Sequence, residues 1–216
     1  MAQRSSFLVL GATGGTGKHF VSLCLAEGHR VRAFVRSPQK LPQVGNLEIR
    51  QGSITDAVDV DTLVDGMDYV VSMLGDVALQ KDAKINTAFV KALIPAMRRK
   101  GVRRFLYQAG GLSRPYQGYL PPLLWTIRHT IARGFAGQHE DNEAVMEYLA
   151  TQASDIDWSV HRAGIGSDGA SKGVLQRSET KFSVATHVDC AAYNYRTVMD
   201  ASAVHTCDLS HYAKPN

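Results

Sequence analysis

Apolar and polar positions along the chain follow two alternating periods. Short runs that are apolar throughout or at every second position predict β-strands at 7–10, 30–35, 47–50, 69–74, 104–108 and 157–161. Apolar residues spaced three and four apart predict helices at 16–27, 56–65, 83–99, 141–151 and 191–199. Strands and helices that alternate at this spacing are typical of βαβ units. We therefore predict an α/β fold with a doubly wound, mainly parallel sheet and helices on both of its faces.

One segment, 112–137, interrupts this alternation inside what we predict to be a single domain, 1–216. It is rich in proline and aromatic residues, and its middle has the apolar spacing of a helix. A long insertion after a sheet strand is often functional. We expect either a lid that walls a substrate pocket or a surface helix on the sheet edge. For the lid, the expected pocket side chains are Tyr116, Tyr119, Trp125 and Arg128.

The stretch GATGGTG lies between the first predicted strand and the first predicted helix. A turn at this place directs backbone N–H groups and the positive end of the helix dipole at a bound anion. Gly11 permits the tight turn, Gly14 lets a pyrophosphate approach the backbone, and Gly17 lets the helix pack close to the strand. Thr13 and Thr16 add hydroxyl donors. The alternative is a purely structural turn.

The end of the second predicted strand, AFVRSPQK, indicates which dinucleotide this turn would bind. An acidic residue here would bind the ribose 2′-hydroxyl of NAD, whereas an arginine suits the 2′-phosphate of NADP. The strand ends at Arg36, with no Asp or Glu nearby in the sequence. A guanidinium pairs well with phosphate. The sequence therefore predicts NADP(H), unless Arg36 is merely a solvated strand-end residue.

Composition narrows the class further. The 216 residues are 44% hydrophobic and 20% charged, as in ordinary globular proteins, and no apolar run approaches the length of a membrane span. The net charge of +4 comes from scattered basic residues, apart from a cluster at the end of a predicted helix. We expect no nucleic-acid or membrane partner and a cytoplasmic location. Three cysteines without CxxC spacing predict neither disulfides nor a metal site.

Several motifs together resemble one known family. GATGGTG, VRSP, QGSITD, VVSMLG, RFLYQAGG and DIDWSVHRAGIG look like the atypical short-chain dehydrogenases/reductases, above all the NmrA-like and biliverdin-IXβ (flavin) reductase group. The resemblance covers nearly the whole chain and implies a Rossmann-type fold that binds NADPH, with substrate over the carboxyl ends of the strands. It places the pyrophosphate on Gly11, Thr13, Gly14, Gly15, Thr16 and Gly17, the 2′-phosphate on Arg36, adenine beside Ser53 and Ile54, ribose over Leu74 and Gly75, and nicotinamide near Gln108, Ala163, Gly164 and Ile165.

The chain also departs from that family. Ser53 replaces the usual Asp, Ala163 replaces the usual Pro, and Gln108 begins a stretch where Ser or Thr is usual. No tyrosine has a lysine four residues later, so the acid/base pair of ordinary short-chain dehydrogenases is absent. Carbonyl reduction needs an acid, because an alkoxide develops. Reduction of a flavin or quinone needs mainly orientation of two rings.

We therefore expect an NADPH-dependent oxidoreductase that transfers hydride to a small planar acceptor such as a flavin or quinone. The alternative is a non-catalytic NADP(H) sensor of NmrA-like type, and an isomerising or tailoring enzyme on the same fold stays open. His161 and Gln108 are candidate catalytic residues because they end strands near the expected nicotinamide. His129 and His139 flank the insertion and are further candidates.

Overall fold

A computed structural model describes residues 4–213, which form one large sheet and one small sheet. The large sheet has eight strands in the order β3-β2-β1-β4-β5-β6-β10-β8, all parallel except β8. The strands are β1 Ser6–Leu10, β2 Arg30–Val35, β3 Leu47–Gln51, β4 Tyr69–Ser72, β5 Arg104–Gly110, β6 Asp157–Ala163, β8 Leu175–Ser178 and β10 Thr206–Tyr212. The small sheet pairs β7 Ile165–Ser167 with β9 Ala185–Thr186.

Seven α-helices lie within the described residues: α1 Gly15–Ala26, α2 Val60–Val64, α3 Val77–Gln80, α4 Ile85–Lys100, α5 Pro122–His129, α6 Ala136–Gln152 and α7 His187–Met199. Helices α1 and α7 pack against each other on one face of the sheet, and α2, α4 and α6 cover the other face. This architecture confirms the predicted doubly wound, mainly parallel α/β fold, with the Rossmann-type strand order 3-2-1-4-5-6 at its centre.

The alternation of side chains along each strand supplies both halves of the core. In β1, Phe7 and Val9 face the α1/α7 cluster, while Leu8 and Leu10 face the α4/α6 cluster. All four are fully buried. A parallel sheet covered on both faces needs strands that are apolar at every position, which is why FLVL reads as a continuous apolar run.

Several boundaries differ from the sequence prediction, and four strands, β7 to β10, were missed. Helix α6 begins at Ala136 rather than at 141. Its second residue, Gly137, lies so close to Gln80 that a Cβ atom would come within 2.2 Å of the Gln80 carbonyl oxygen. Helix α2 is shorter than predicted, and α4 continues through Pro95. Strand β10 has the sequence TCDLSHY, which lacks an apolar alternation, and it is recognisable only from its pairing with β6 and β8.

The inserted segment 112–137 holds α5 and a short 3-10 turn. Leu120 and Leu124 pack on Leu209 of β10, so α5 lies over the outer part of the sheet. Arg128 donates to the carboxylate of Glu143 and to the carbonyl of Leu112, which ties α5 to α6. The segment is thus a helix packed near the sheet edge, and its action as a lid stays a prediction.

Candidate functional site

A cleft of about 260 Å³ opens at the carboxyl ends of β1, β2 and β4. In the sheet, β1 lies between β2 and β4, so the strand order reverses at this point. Ligands of doubly wound sheets bind at such a topological switch point. The cleft is lined by Gly11, Thr13, Gly14, Phe34, Val35, Arg36, Lys40, Gly52, Ser53, Ile54, Met73, Leu74, Gly75, Asp76, Leu79, Ile85 and Asn86.

The glycine turn has no room for side chains. Gly11 adopts a left-handed φ of 82°, and an added Cβ would lie 2.7 Å from the carbonyl oxygen of Met73. A Cβ on Gly17 would lie 2.0 Å from the carbonyl oxygen of Gly11. The N–H of Gly14 donates to that same oxygen at 3.0 Å and closes the turn. Two of the glycines are therefore required by the close approach of backbone to backbone, independently of any ligand.

The turn leads directly into α1, whose N-terminus faces the cleft. Gly14 is the N-cap, and within residues 4–213 no side chain caps the helix. Helix N-termini leave N–H groups without intrahelical partners and carry partial positive charge. Bare backbone, unused N–H groups and the hydroxyl of Thr13 are the donor set that a pyrophosphate needs. The residues present fit a dinucleotide.

A histidine that sequence reasoning did not single out lies against this turn. The imidazole of His187, at the start of α7, would lie 2.5 Å from a Cβ on Gly15. Its Nδ1 lies 3.2 Å from the Oγ1 of Thr16. Partial burial lowers the pKa of His187 below its usual value. More than 170 residues separate the two groups, roughly the whole domain, so no sequence spacing connects them.

Charged residues gather at the far end of the cleft. Arg36 follows β2, and Lys40, which sequence reasoning missed, lines the same wall four residues later. The carboxylate of Asp76 reaches Arg36 from the segment after β4, with 3.0 Å between Nη1 and Oδ2. Sequence inspection around β2 finds no acidic residue, so this ion pair depends on the fold. The Arg36 side chain is 63% exposed and accessible to a ligand.

The predicted nicotinamide-side residues lie beyond this cleft. Gln108 lies in β5, two residues before its end, and Ala163 and Gly164 lie at the end of the neighbouring strand β6. The ring of Phe182 covers this place: a Cβ on Gly164 would lie 2.3 Å from it. A Cβ on Gly111 would lie 2.5 Å from the same ring. Gly111 and Gly164, at the carboxyl ends of β5 and β6, thus form a surface that the ring of Phe182 contacts.

Neither catalytic candidate on the strands has an exposed reactive group. His161 is fully buried, with Nδ1 2.7 Å from the Oδ1 of Asn194 and Nε2 2.9 Å from the Oγ of Ser210. Burial lowers the pKa of His161 to about 4. Gln108 accepts a hydrogen bond from the same Asn194 at 2.7 Å. We therefore assign His161 a structural role within a polar chain that links β5, α7 and β10.

The four side chains expected in a substrate pocket do not converge. Tyr116, Tyr119 and Trp125 are 40%, 74% and 55% exposed, and none of them lines the cleft. Arg128 is engaged by Glu143 and therefore has a structural role. Of the flanking histidines, His129 stacks on Trp125 at the surface. His139 is buried, and burial lowers its pKa to about 4.

The region where short-chain dehydrogenases carry a lysine holds a buried amide network instead. The hydroxyl of Tyr107 donates to the Oδ1 of Asn142 at 2.6 Å. The Nδ2 of Asn86, a residue that lines the cleft, donates to that hydroxyl at 3.1 Å. Burial raises the pKa of Tyr107 far above its usual value. Tyr107 is therefore not poised to release a proton.

Residues 4–213 hold neither a candidate metal centre nor a helix that could span a bilayer. No cluster of three or more His, Cys, Asp or Glu side chains has the geometry of a metal site there. In the same part of the chain, no helix combines the length and hydropathy that crossing a bilayer requires.

A doubly wound sheet whose glycine turn opens on a cleft at the topological switch point defines a dinucleotide-binding protein. The chain belongs to the NAD(P)H-binding family, whose family model matches residues 11–193. This membership confirms the expected relation to the atypical short-chain NAD(P)-binding proteins.

Curated proteins match part of the chain. It is 35% identical over 111 residues to the 3 beta-hydroxysteroid dehydrogenase/Delta 5→4-isomerase of Mycobacterium tuberculosis. This match covers 46% of this chain and 30% of that protein. It is 32% identical over 138 residues to pinoresinol reductase 1 of Arabidopsis thaliana, and this match covers 56% of this chain and 41% of that protein. The matched part is thus less than half the length of these relatives.

Solved structures match almost the whole chain. Anaerobillin reductase ChuY from Escherichia coli O157:H7 superposes with a TM-score of 0.73 at 20% identity, covering 98% of this chain and 100% of that chain. An oxidoreductase from Lactococcus lactis gives a TM-score of 0.75 at 14% identity, covering 97% and 91%. At these identities the likeness shows the fold alone.

Proposed function

We propose that the protein is an NADPH-dependent oxidoreductase that transfers hydride to a planar acceptor such as a flavin or quinone. The observation that carries the cofactor assignment is that two cations, Arg36 and Lys40, line the same cleft as the glycine turn. A 2′-phosphate adds charge that a guanidinium and an ammonium recognise and that NADH lacks. The named relatives, a steroid dehydrogenase and two reductases, are consistent with this class.

Each part of the cleft would hold one part of the cofactor. The N-terminus of α1, with Thr13, would bind the pyrophosphate, and Ser53 with Ile54 would flank the adenine. Thr16 is buried against His187 and lies outside the lining of the cleft. Leu74 and Gly75 would lie under the ribose. The cofactor would then extend past the end of β4 towards the ends of β5 and β6. When bound, the dihydronicotinamide supplies a hydride.

The acceptor class follows from the acids that the site lacks. Within residues 4–213, Tyr107 of β5 and His161 of β6 are fully buried and hydrogen-bonded. A carbonyl acceptor needs a positioned acid to protonate its alkoxide. An electron-poor ring system takes a proton from solvent, so the protein need only hold two rings in contact.

The direct test is oxidation of NADPH in the presence of FMN, riboflavin or menadione, followed by absorbance. We expect turnover with at least one of these acceptors, and a loss of at least tenfold in kcat/KM for Arg36→Ala at limiting NADPH. Arg50→Ala is the matched control, because Arg50 is an exposed, ion-paired arginine at the end of β3 outside the cleft. NADPH binding without oxidation by any flavin or quinone would contradict the enzyme proposal.

A non-catalytic NADP(H) sensor is the second candidate, and one observation favours it. Phe182 covers the glycines at the ends of β5 and β6, where a reacting ring would have to lie. A sensor would bind NADPH tightly and leave it unoxidised, whereas the enzyme turns it over. The acceptor assay therefore separates the two candidates.

A further inference from the structure

A second cavity, of about 400 Å³, lies between the inserted segment and the outer strands of the sheet. Its walls come from the loop before α5, from the end of β6 and from the beginning of β10. The residues that matter here are Tyr119, Pro121, Arg162, Arg177, His205 and Thr206. None of the residues lining this cavity lines the nucleotide cleft.

Two arginines of the sheet are buried, and they differ in how their charge is satisfied. Arg104, at the start of β5, is 9% exposed and donates five hydrogen bonds of 2.7–3.0 Å to backbone carbonyl oxygens. Arg162, at the end of β6, is 2% exposed and donates one long bond of 3.4 Å, from Nη1 to the carbonyl of Ser113. Its Nε has no partner among residues 4–213. All the charge of Arg104 is thus satisfied by hydrogen bonds, whereas Arg162 has a buried donor without a partner.

The groups around Arg162 compensate its charge only in part, through a side-chain contact with the Cys207 thiol and the nearby charge of Asp208. The carboxylate of Asp208 is bound by the Nε of Arg177 at 2.8 Å. Burial raises the pKa of the Cys207 thiol to about 11, so it is neutral at pH 7. Glu179, at the exposed rim, forms no ion pair with Arg162 in the described part of the chain. A guanidinium stays charged in proteins, and a buried charge without a partner is costly.

One other feature of the wall indicates a ligand. The Oγ1 of Thr206 is buried and has no hydrogen-bond partner among the described residues. The neighbouring His205 has a left-handed φ of 55°, which histidine tolerates, and its Nε2 lies 2.9 Å from the carbonyl oxygen of Ile156. Pro115, Pro121 and Tyr119 add apolar groups to the lining.

We propose that this cavity binds a small organic carboxylate with a flat apolar body, and that Arg162 is its anchor. The carboxylate would accept from the guanidinium in the paired geometry that arginine offers, and Thr206 would donate its hydroxyl proton to the same group. The apolar body would lie between the proline-rich loop and His205. This site is separate from the nucleotide cleft, so the proposal is independent of the proposed oxidoreductase function.

The chain contains its own reporter for this cavity. Trp158 is 8% exposed, and its ring centroid lies 5.2 Å from that of His205. The chain has two tryptophans, and the other, Trp125, is exposed on α5 outside the cavity. Fluorescence of Trp125→Phe protein therefore reports on Trp158 alone. The probes are benzoate, its neutral analogue benzamide, and inorganic phosphate, all without NADPH.

We expect benzoate to change Trp158 emission saturably and benzamide to bind at least tenfold more weakly. Arg162→Met should weaken benzoate binding at least tenfold, while Arg99→Met, which removes an exposed arginine paired with Asp61 outside the cavity, should change it less than threefold. If Arg162→Met does not fold, Arg162→Lys keeps the charge but not the paired donors, and at least a threefold loss is expected.

Three results would overturn the proposal. The first is equal binding of benzoate and benzamide, or no saturable response to benzoate. The second is unchanged benzoate affinity in folded Arg162→Met or Arg162→Lys protein. The third is saturable binding of phosphate alone, which would assign the cavity to an inorganic anion rather than to an organic carboxylate.

Discussion

At the scale of single residues, the ion pair between Arg36 and Asp76 sets the charge that a dinucleotide meets in the cleft. Asp76 also accepts from the backbone N–H of Leu79 and so begins α3. Its carboxylate therefore has two roles, as a helix cap and as the partner of Arg36. A 2′-phosphate would have to share Arg36 with that carboxylate, which weakens NADPH binding and leaves NADH binding almost unaffected.

We predict that Asp76→Asn tightens NADPH binding by about two- to fivefold, because an exposed ion pair contributes about 0.2–1 kcal/mol. Asparagine is itself a good N-cap, so α3 should persist. Isothermal titration of the unmodified protein and of Asp76→Asn with NADPH and NADH measures the effect. Asp61→Asn is the control, since Asp61 pairs with Arg99 outside the cleft. Equal gains for both nucleotides, or a loss for NADPH, would contradict this role of Asp76.

The buried ring of His161 gives a prediction about acid stability. Its folded pKa of about 4 lies below the ordinary value of about 6.5 that it regains on unfolding. Between these two pH values the unfolded chain binds more protons, so the free energy of unfolding falls as pH falls through this window.

The expected loss attributable to His161 is about 2 kcal/mol between pH 7 and pH 5. Urea unfolding of His161→Gln at both pH values should show a pH dependence reduced by about that amount, whatever its absolute stability. His129→Gln, at the exposed ring stacked on Trp125, should keep the full dependence. An unchanged slope for His161→Gln would show that this ring is not held neutral in the fold.

At the scale of elements, Asp141 of α6 acts as a cap for α4 from outside that helix. Its Oδ2 accepts from the N–H of Asn86 at 3.0 Å and from the side chain of Gln80 at 2.8 Å. Its Oδ1 accepts from the N–H and the hydroxyl of Thr87 at 2.9 and 2.7 Å. A fully buried carboxylate is thus satisfied by the positive end of a neighbouring helix. This contact fixes α4, and with it Asn86, at the back of the cleft.

We predict that Asp141→Asn lowers the free energy of unfolding by about 3 kcal/mol, because an amide N–H₂ group would face donors that a carboxylate now accepts from. The measurement is urea unfolding at pH 7. Glu140→Gln, one residue earlier and exposed, should change stability by less than about 0.5 kcal/mol. Equal effects of the two substitutions would refute the proposed cap.

At the scale of the whole molecule, the sequence predicts what depends on neighbours along the chain. The FLVL strand, the glycine turn and the first helix follow from local periodicity and from backbone sterics at Gly11 and Gly17. These local rules also place the cleft, because the carboxyl end of a first parallel strand lies at the switch point.

Features that depend on distant pairing were not predictable. His187 contacts Gly15 only because α7 packs on α1. Asp76 reaches Arg36 only because β2 and β4 lie on either side of β1 in the sheet. Arg128 is a residue type that often lines a pocket, but Glu143, about two turns into the next helix, forms an ion pair with it. Strand β10 has polar residues at buried positions, among them Asp208 and Ser210, whose Oγ contacts His161 of β6, so its pattern does not read as a strand.

The central claim, an NADPH-binding cleft defined by the glycine turn and Arg36, is tested most directly by one comparison of affinities. Isothermal titration would give the dissociation constants of NADPH and NADH for unmodified protein and for Arg36→Ala. We predict at least tenfold tighter binding of NADPH to the unmodified protein and a ratio reduced at least fivefold in the variant, where Lys40 remains, since loss of a charge-assisted phosphate contact costs about 1.5–3 kcal/mol. Equal binding of the two nucleotides, or an unchanged ratio in Arg36→Ala, would contradict the claim.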